Sequence, residues 1–300
     1  METYRTDLNT VRRRLNPRLY PMRLWEKAKQ LGTWNPSDID FTQDRDDWQR
    51  LAAHERDLLL RLTAQFTGGE ESVTYDLLPL LLVAAEEGRI EEEMFLTSYL
   101  WEEAKHVEGF NRFLDEVAGT PDDLSPYFTG AYRRLFFEEQ PRALNRLRVD
   151  ASPVALAEAS VTYQMITEGV LAETGYHAYY TVLEGHGLLP GMQHLVRQIQ
   201  RDESRHIGYG VFLLSRLVAE HGEVVWNAIE ARMEVLLPIA LQHVQETLAP
   251  YGEDVPFGVK VDDFLAFGLA QFQKRLQRIE KARRQSLEAV LYGTAHPAGA

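Results

Sequence analysis

The chain has 300 residues, a formal net charge of −13 and no cysteine. A strong negative charge disfavours binding to nucleic acid and to anionic membrane surfaces, because both attract basic proteins. The absence of cysteine excludes disulfide bonds, thiolate zinc sites and cysteine nucleophiles. Any metal site must therefore use oxygen and nitrogen ligands, which suit iron or manganese.

The N-terminal part of the chain is polar and shows no signal-peptide pattern. The longest apolar run, Leu77 to Ala85, contains a proline and is too short to span a bilayer. We therefore expect a soluble, cytoplasmic protein. Residues 1 to about 40 are interrupted by Pro17, Pro21 and Pro36, which predicts irregular structure there.

Helical periodicity begins near Asp40 to Thr42, where the acidic residues that follow suit the first turns of a helix. Gly68 and Gly69 are expected to interrupt or bend this helix. The pattern resumes with Glu70 on its apolar stripe and ends at Gly88.

The following segments each begin at a capping residue or after a glycine turn. The next helix stops at Gly119, and new starts are predicted at 120–123 and at Ser152-Pro153, where a capping side chain precedes proline. Glycines around Pro190 mark another turn, and the last helices are expected at roughly 223–248 and 261–291.

No segment shows the alternating pattern of a β-strand, and no linker divides the chain. We therefore predict an all-α fold, formed by a single helical domain over residues 1–300 with its core at about 40–285.

Two copies of a Glu-x-x-His motif stand 100 residues apart, Glu103 with His106 and Glu203 with His206. Residues three apart on a helix point to the same side, so each copy offers a carboxylate and an imidazole to one site. A single copy is usually a solvated pair. Both copies, however, lie on apolar stripes, where buried carboxylates and imidazoles need a compensating cation. The duplication therefore predicts a metal site.

Two further glutamates lie on core stripes at similar spacing. Glu70 precedes Glu103 by 33 residues (103 − 70), and Glu168 precedes Glu203 by 35 residues (203 − 168). The chain thus consists of two helix pairs, each supplying a Glu and then a Glu-x-x-His. This is the ligand set of di-iron and di-manganese sites in ferritin-like bundles.

Neighbouring charged residues compete for these roles. Glu71, Glu102 and Glu173 all lie off the apolar stripes, although Glu102 is four residues before His106 and could reach the site. We expect Glu71 and Glu173 to face solvent or to lie outside the ligand set. Lys105 and Arg205 each precede a ligating histidine and should lie on the outer surface or in a carboxylate network.

The arrangement resembles the small subunit of class I ribonucleotide reductase, and more closely the ligand-binding oxidases derived from it, which carry a mixed manganese–iron centre. The likeness covers about residues 40–285. Val73 and Tyr163 match the pair that such oxidases join by an ether bond. Six residues match the metal ligands of the family: Glu70, Glu103, His106, Glu168, Glu203 and His206.

The resemblance implies a ferritin-like four-helix bundle core with additional helices, and a homodimer. One metal would bind Glu70, Glu103 and His106 and the other Glu168, Glu203 and His206, with Glu103 bridging them. The metals would be one manganese and one iron, or alternatively two irons. A buried long-chain fatty acid would also bridge them through its carboxylate. The implied reaction is O₂ activation, with electrons from an unknown donor, followed by two-electron oxidation of a C–H bond.

The spacing of Tyr163 and Glu168 bears on the predicted ether bond. Tyr163 lies five residues before Glu168, about 140° away on a regular helix, so a π-bulge or a ring that reaches back is needed to bring both to one site. Without the resemblance, Val73 would be an ordinary core residue and Tyr163 a packed aromatic residue.

An excess of apolar side chains near the ligands favours a lipid pocket. Examples are Leu77, Phe110, Met165 and Leu213.

Three other functions share this ligand pattern. Radical-generating small subunits of class I ribonucleotide reductase commonly carry a tyrosine four residues after the first ligating histidine, where this chain has Phe110. That departure disfavours the tyrosyl-radical type, although variants without the tyrosine exist. Acyl-carrier-protein desaturase-like di-iron enzymes have similar paired motifs. A non-enzymatic metal store is the third alternative, although storage ferritins are shorter.

Overall fold

The computed structural model describes residues 8–119 and 123–293, which are helical with connecting turns and contain no strand. The all-α prediction is confirmed for this part of the chain. Among these residues, no helix is both long enough and apolar enough to cross a bilayer. The α-helices are α1 (Asn9–Arg12), α2 (Tyr20–Leu31), α3 (Thr42–Arg50), α4 (Ala53–Asp76), α5 (Leu78–Glu86), α6 (Ile90–Phe113), α7 (Gly130–Arg133), α8 (Gln140–Arg146), α9 (Pro153–Ser160), α10 (Glu173–Tyr179), α11 (Pro190–His221), α12 (Glu223–Leu248), α13 (Val261–Ala282) and α14 (Leu287–Tyr292).

Shorter helical segments join or extend these helices. The π-helical segments are Leu114–Ala118, Arg134–Glu139, Val161–Ala172 and Tyr180–Glu184. The 3₁₀ turns are Pro36–Asp38, Ser125–Tyr127, Ala249–Tyr251 and Pro256–Gly258.

The centre of the fold is a ferritin-like bundle. Its helices are α4, α6, α11 and the continuous helix formed by α9, Val161–Ala172 and α10. Helix α4 packs against α6, Val161–Ala172 packs against α11, and α6 contacts α11. Helices α12 and α13 cover the outer side of Val161–Ala172, while α2 lies across α6 and α11.

Two apolar clusters fill the bundle, and they lie at opposite ends of the long helices. Along α6, Tyr99 belongs to the first cluster and Phe110 to the second. Along α11, Leu213 belongs to the first cluster and Ile199 to the second. The Glu-x-x-His pairs stand between these residues on both helices. A polar layer therefore separates two apolar cores, each of which is held together by burial of its own apolar area.

The helical stretch predicted from residues 40–42 to Gly88 is three helices, α3, α4 and α5. Leu51 and Ala52 adopt extended conformations with ψ of 142° and 158°, which ends α3 and starts α4. The predicted interruption at Gly68 and Gly69 is wrong, because α4 runs through both residues. A Cβ atom at Gly68 would lie 2.7 Å from the hydroxyl of Tyr132. This glycine therefore permits close packing of Tyr132 against α4.

The prediction that residues 1 to about 40 are irregular is wrong for α2. Pro21 lies in the first turn of this helix, where a backbone N–H is not needed. Leu24 and Ala28 are buried, and they face the bundle. A proline near a helix start was thus mistaken for a proline that breaks a helix.

The other predicted boundaries have mixed outcomes. Gly119 ends the π-extended α6 with φ of 55°, and the Ser152 hydroxyl accepts a hydrogen bond from the backbone N–H of Ala155 at the start of α9. Helices α11 and α12 begin where expected. The last predicted helix is divided into α13 and α14. Of the start predicted at 120–123, residues 120–122 lie outside the described residues, and the next α-helix begins only at Gly130.

A buried carboxylate fixes the start of α11. Asp44 of α3 is fully buried, and it accepts hydrogen bonds from the backbone N–H groups of Gly191 and Met192 at 2.8 and 2.7 Å. Because Asp44→Ala leaves two buried donors unpaired, it is expected to lower the free energy of unfolding by about 1–3 kcal/mol. Asp46→Ala, at an exposed position on the same helix, should change it by less than about 0.5 kcal/mol. Denaturant unfolding measures both values, and equal values would contradict this role for Asp44.

Candidate metal centre

Six side chains from four helical segments meet in the polar layer. Each is at most 5% exposed. They form two overlapping groups, within each of which the candidate ligand atoms lie no more than 4.8 Å apart. The first group is Glu70, Glu103, His106 and Glu203, and the second is Glu103, Glu168, Glu203 and His206. The structure therefore brings together all six residues that the sequence singled out, with Glu103 and Glu203 common to both groups.

Both imidazoles turn the same nitrogen towards the carboxylates. Nδ1 of His106 lies 3.3 Å from Glu70 Oε2 and 3.4 Å from Glu203 Oε1. Nδ1 of His206 lies 3.0 Å from Glu103 Oε1 and 3.5 Å from Glu203 Oε1. Each ring therefore has one nitrogen available to a cation in the layer and the other directed away from it.

Several inward-facing atoms have no hydrogen-bond partner among the described residues. They are both carboxylate oxygens of Glu103, Oε2 of Glu168, Oε2 of Glu203 and Nδ1 of His206. A buried polar atom left unpaired costs about 1–3 kcal/mol, so this concentration in one layer is unfavourable unless something else binds these atoms. Divalent cations would satisfy them, and an oxygen and nitrogen donor set suits iron and manganese.

The electrostatics of the layer also favour cations. Burial raises the pKa of Glu70 to about 8, and burial and neighbouring carboxylates raise the pKa of Glu168 well above its usual value. Burial alone would also raise the pKa of Glu103, but the adjacent imidazoles of His106 and His206 outweigh it and lower that pKa to about 2. Without cations, this layer must hold extra protons to limit its negative charge. Metal binding replaces such protons.

The sequence and the fold were compared with known proteins. A family model described as "Ribonucleotide reductase, small chain" matches residues 14–281. A solved structure of an R2-like ligand-binding oxidase with an aerobically reconstituted Mn/Fe cofactor has a TM-score of 0.88 and 34% sequence identity, and the match covers 92% of this chain and 98% of the other.

The chain belongs to the ribonucleotide reductase small-chain family, and within it to the R2-like ligand-binding oxidases. Two variant structures are equally similar, with TM-scores of 0.88, 34% identity and coverage of 92% of this chain and 99% of theirs. One is a tyrosine-to-phenylalanine variant with an aerobically reconstituted Mn/Fe cofactor, and the other is a glycine-to-leucine variant with an Fe/Fe cofactor.

In this member of the family, the outward nitrogens of the two histidines are held reciprocally. Nε2 of His206 on α11 lies 2.9 Å from Glu102 Oε2 on α6. Nε2 of His106 on α6 lies 3.4 Å from Asp202 Oδ2 on α11. The acidic residue before each glutamate of the duplicated motif thus supports the histidine of the other motif. Carboxylates in this position fix the orientation of a ligating imidazole and raise its basicity.

Glu102 was therefore misjudged from its position off the apolar stripe, because it is fully buried. Arg205 pairs with Glu102 and with Asp202, both at 2.5 Å, and Lys105 lies 3.2 Å from Asp202. Of the two locations expected for these basic residues, the carboxylate network is the one observed. The indole N–H of Trp34 also donates to Asp202 at 2.7 Å, a contact that no sequence pattern indicated.

The two remaining glutamate candidates lie outside the six-residue cluster. Glu71 is exposed. Glu173 is partly buried and lies 3.6 Å from Arg275. Both positions agree with the expectation that these residues face solvent or lie outside the ligand set.

The helix that carries Tyr163 and Glu168 has the distortion that the five-residue spacing requires. Val161–Ala172 is π-helical, and its i→i+5 hydrogen bonding brings residues five apart to nearly the same side. Tyr163 is fully buried, and its hydroxyl has no hydrogen-bond partner among the described residues. Burial, followed by the charges of Glu103 and Glu168, raises the pKa of Tyr163 well above its usual value. Its phenol is therefore neutral and lies close to the carboxylates.

Two buried tyrosines at the layer were not singled out from the sequence as site residues. The hydroxyl of Tyr99 donates a short hydrogen bond to Glu168 Oε1, and its ring stacks on His206 with centroids 3.6 Å apart. Tyr176 is fully buried with an unpartnered hydroxyl, and its ring stacks on Phe66. The signal for Tyr99 was available, because it lies one helical turn before Glu103 on the same stripe.

Tyr99→Phe should weaken metal binding by roughly 10- to 100-fold, as is typical when a residue that orients a ligand is lost. The substitution removes the hydrogen bond to Glu168 but keeps the ring that stacks on His206. Tyr209→Phe is the matched control, because Tyr209 donates to a different buried carboxylate, Glu92, at 3.0 Å. Chelator competition during metal titration measures both affinities. Equal affinities in the two variants would show that Tyr99 does not orient Glu168.

A largely apolar cavity opens onto the carboxylate layer. Most of the surface that lines it is apolar, as is typical of pockets for small molecules. Four carboxylates line it, those of Glu70, Glu103, Glu168 and Glu203. Its lining on α4 runs from Leu58 to Val73, a distance of roughly 22 Å along the helix.

The residues named from the sequence as flanking a lipid pocket do not line this cavity. Leu77, Phe110, Met165 and Leu213 are all buried, but they pack within the apolar clusters. The cavity is instead walled by residues of α4, of Val161–Ala172 with α10, of α12 and of the start of α13. That part of the prediction is corrected.

Proposed function

We propose that this chain is an O₂-activating dimetal oxidase that performs a two-electron oxidation of a C–H bond. The observation that carries the proposal is the pair of overlapping, buried Glu/His groups, whose unpartnered atoms lie where an apolar cavity meets the layer. Glu70, Glu103 and His106 would hold one metal, and Glu168, Glu203 and His206 would hold the other. Glu103 would serve both metals: like Glu203 it belongs to both groups, and neither of its oxygens has a partner among the described residues.

The metals are one manganese and one iron, with two irons as the alternative. The related structures support this choice, since some carry a Mn/Fe cofactor and one an Fe/Fe cofactor. When bound, such a pair supplies two electrons for the reduction of O₂ and the oxidising power to break one C–H bond.

The chain contributes a dry, preorganised environment for this chemistry. Glu102 and Asp202 hold the two imidazoles in place through their outward nitrogens. The two apolar clusters exclude water from either side of the layer. The cavity binds a long-chain fatty acid with its carboxylate at the layer and its alkyl chain along α4. The shape and the apolar lining of the cavity support this ligand class.

A second product of the centre is an ether bond between Val73 and Tyr163. The Cβ–H bond of Val73 and the O–H bond of Tyr163 break, a C–O bond forms, and two electrons and two protons leave. O₂ would be the oxidant, and the metal pair, when bound, would supply the two further electrons that, with two protons from solvent, complete the reduction of O₂ to two water molecules. Val73 lines the cavity beside Glu70, and the Tyr163 hydroxyl has no hydrogen-bond partner in the described part of the chain.

We propose further that the protein is a cytoplasmic homodimer that receives electrons from a donor not identified by its sequence. The homodimer rests on the family resemblance. Light scattering of the purified protein measures its mass directly. A particle of one chain at micromolar concentration would contradict the dimer.

The test of the main proposal is to load metal-free protein in air with manganese(II) and iron(II) together. Elemental analysis should find two transition-metal ions per chain, one of each kind. Solvent extraction should release a saturated long-chain acid in about equimolar amount. Protein that holds both metals in several expression hosts but never a lipid would overturn the ligand assignment, and protein that holds neither metal would overturn the oxidase itself.

A further inference from the structure

We propose that His243 forms a polar subsite part-way along the cavity, and that the cavity therefore prefers a long-chain acid with a hydroxyl group within its alkyl chain. This inference rests on the proposed binding of a long-chain acid. It specifies the chemical class of that acid, which neither the fold nor the metal ligands determine.

His243 on α12 is 8% exposed, and it lines the cavity. Its Nδ1 atom lies 3.1 Å from the hydroxyl of Thr129. Within residues 8–119 and 123–293, Nε2 of His243 has no hydrogen-bond partner, and this atom is not fully enclosed by protein. Burial lowers the pKa of His243 to about 4, so the ring is neutral at ordinary pH. A buried neutral imidazole thus borders the cavity with one nitrogen unused.

The surrounding residues hold this imidazole in place. The Thr129 hydroxyl, which fixes Nδ1, also accepts a hydrogen bond from the backbone N–H of Tyr132 at 3.0 Å and so caps α7. The ring of Tyr132 lies 5.4 Å from that of His243, and it too lines the cavity. The ring is therefore anchored at one nitrogen and packed on one side.

Nearby polar side chains of the same wall have partners within the protein. The Thr247 hydroxyl is 3.2 Å from Gln65 Oε1 and 2.8 Å from the carbonyl oxygen of His243. The Gln65 amide donates to the carbonyl oxygen of Tyr127 at 3.0 Å. An alkyl chain can pass these groups without leaving them unpaired. The same chain passing His243 leaves Nε2 unpaired.

The subsite lies between the carboxylate layer and the far end of the cavity. Tyr132, whose ring lies beside that of His243, donates its hydroxyl to the carbonyl oxygen of Gln65 at 3.0 Å. Gln65 lies five residues before Glu70 on α4, a separation of about 7.5 Å along the helix. Leu58 and Leu62 continue the apolar lining beyond it. His243 therefore lies opposite the middle of a ligand whose carboxylate is at the metals.

A hydroxyl is the group that suits this atom best. Nε2 of a neutral imidazole either donates or accepts a hydrogen bond, depending on which nitrogen carries the proton. A hydroxyl can complete either arrangement, whereas a methylene can complete neither. A hydroxyl that pairs Nε2 when the bound chain covers it should strengthen binding by about tenfold over an unsubstituted chain.

The experiment uses the metal-loaded protein, freed of endogenous lipid, and a competition assay. Octadecanoic acid is compared with hydroxyoctadecanoic acids that carry the hydroxyl at successive positions. Wild type should bind one narrow range of positions about tenfold more tightly than the unsubstituted acid. His243→Phe should lose this preference and keep its affinity for octadecanoic acid. Thr174→Val is the matched control, because the Thr174 hydroxyl also belongs to the cavity wall but is already bonded to the Val170 carbonyl oxygen.

Three results would overturn the subsite. One is a wild type that binds no hydroxy acid better than octadecanoic acid, and another is a preference that survives in His243→Phe. The third is a preference that Thr174→Val removes as completely as His243→Phe does. If the wild type binds none of these acids, the proposed function fails at the ligand itself. Failure of the ligand assignment can be distinguished from failure of the subsite alone, because binding of octadecanoic acid is measured as the reference in every variant.

Discussion

Replacing Glu103 with alanine is expected to reduce the metal content from two ions per chain to one or none, and His206→Ala should do the same. Glu103 belongs to both overlapping groups of candidate ligand atoms, and neither of its oxygens has another partner in the described structure. Its loss therefore affects both positions. His206 contributes the imidazole of the second group, and Nδ1 of His206 is likewise unpartnered.

The fold should survive these substitutions, because the layer lies between two apolar clusters that are packed independently of it. Helical circular dichroism should therefore be unchanged while elemental analysis shows the loss of metal. Glu71→Ala is the matched control, since Glu71 is exposed next to Glu70. Two metals in the double variant Glu103→Ala/His206→Ala would contradict the assignment.

The six residues of the layer could be found from the sequence because their pattern is duplicated. A Glu and a His three residues apart occupy positions on an apolar stripe where apolar residues are expected. When this happens at matching positions on two helices, one shared polar site explains both. The spacing of 33 and 35 residues then identified Glu70 and Glu168 by the same argument. None of these inferences depends on how the helices pack against one another.

Glu102 was predicted to lie off the buried face of α6 because the second face of that helix, which α2 covers, was not foreseen. A single buried stripe assumes that a helix has one packed face, but α6 is covered on one side by α4 and on another by α2. The carbonyl oxygen of Gly32, just after α2, accepts a hydrogen bond from Lys105 at 2.6 Å. Because residues 1 to about 40 were expected to be irregular, no element was available to bury the second face of α6. The error in the N-terminal segment and the error at Glu102 are therefore one error.

The cavity could not be derived from periodicity either. Its walls come from several helical segments, and which side chains reach it depends on their directions across those elements. The π-helical segment Val161–Ala172 changes the side-chain directions further, because residues after each wide turn are rotated relative to their positions in a regular helix. Met165, within this segment, packs in an apolar cluster instead of lining the cavity.

The ether bond gives the most specific expected result for this chain: assembly of the metal centre in air should join Val73 to Tyr163. Val73 follows Glu70 by three residues, so it lies beside that ligand on α4, and its Cβ is a tertiary carbon. Such a C–H bond is easier to break than that of a methylene. Tyr163 supplies a buried phenol that has no hydrogen-bond partner among the described residues, and the π-helical segment turns it towards the same side as Glu168.

Peptide mapping by mass spectrometry measures the outcome. Protein loaded with metal in air should yield a linked peptide pair that is lighter by two hydrogens than the sum of its parts, and protein loaded without air should not. Tyr163→Phe and Val73→Ala should abolish the link. Tyr179→Phe should keep it, because Tyr179 is an equally buried tyrosine whose hydroxyl is bonded to Thr63 at 2.8 Å. Unlinked peptides from fully metallated, air-exposed protein would refute the oxidase in this form and would favour a radical-generating small subunit or a desaturase-like enzyme instead.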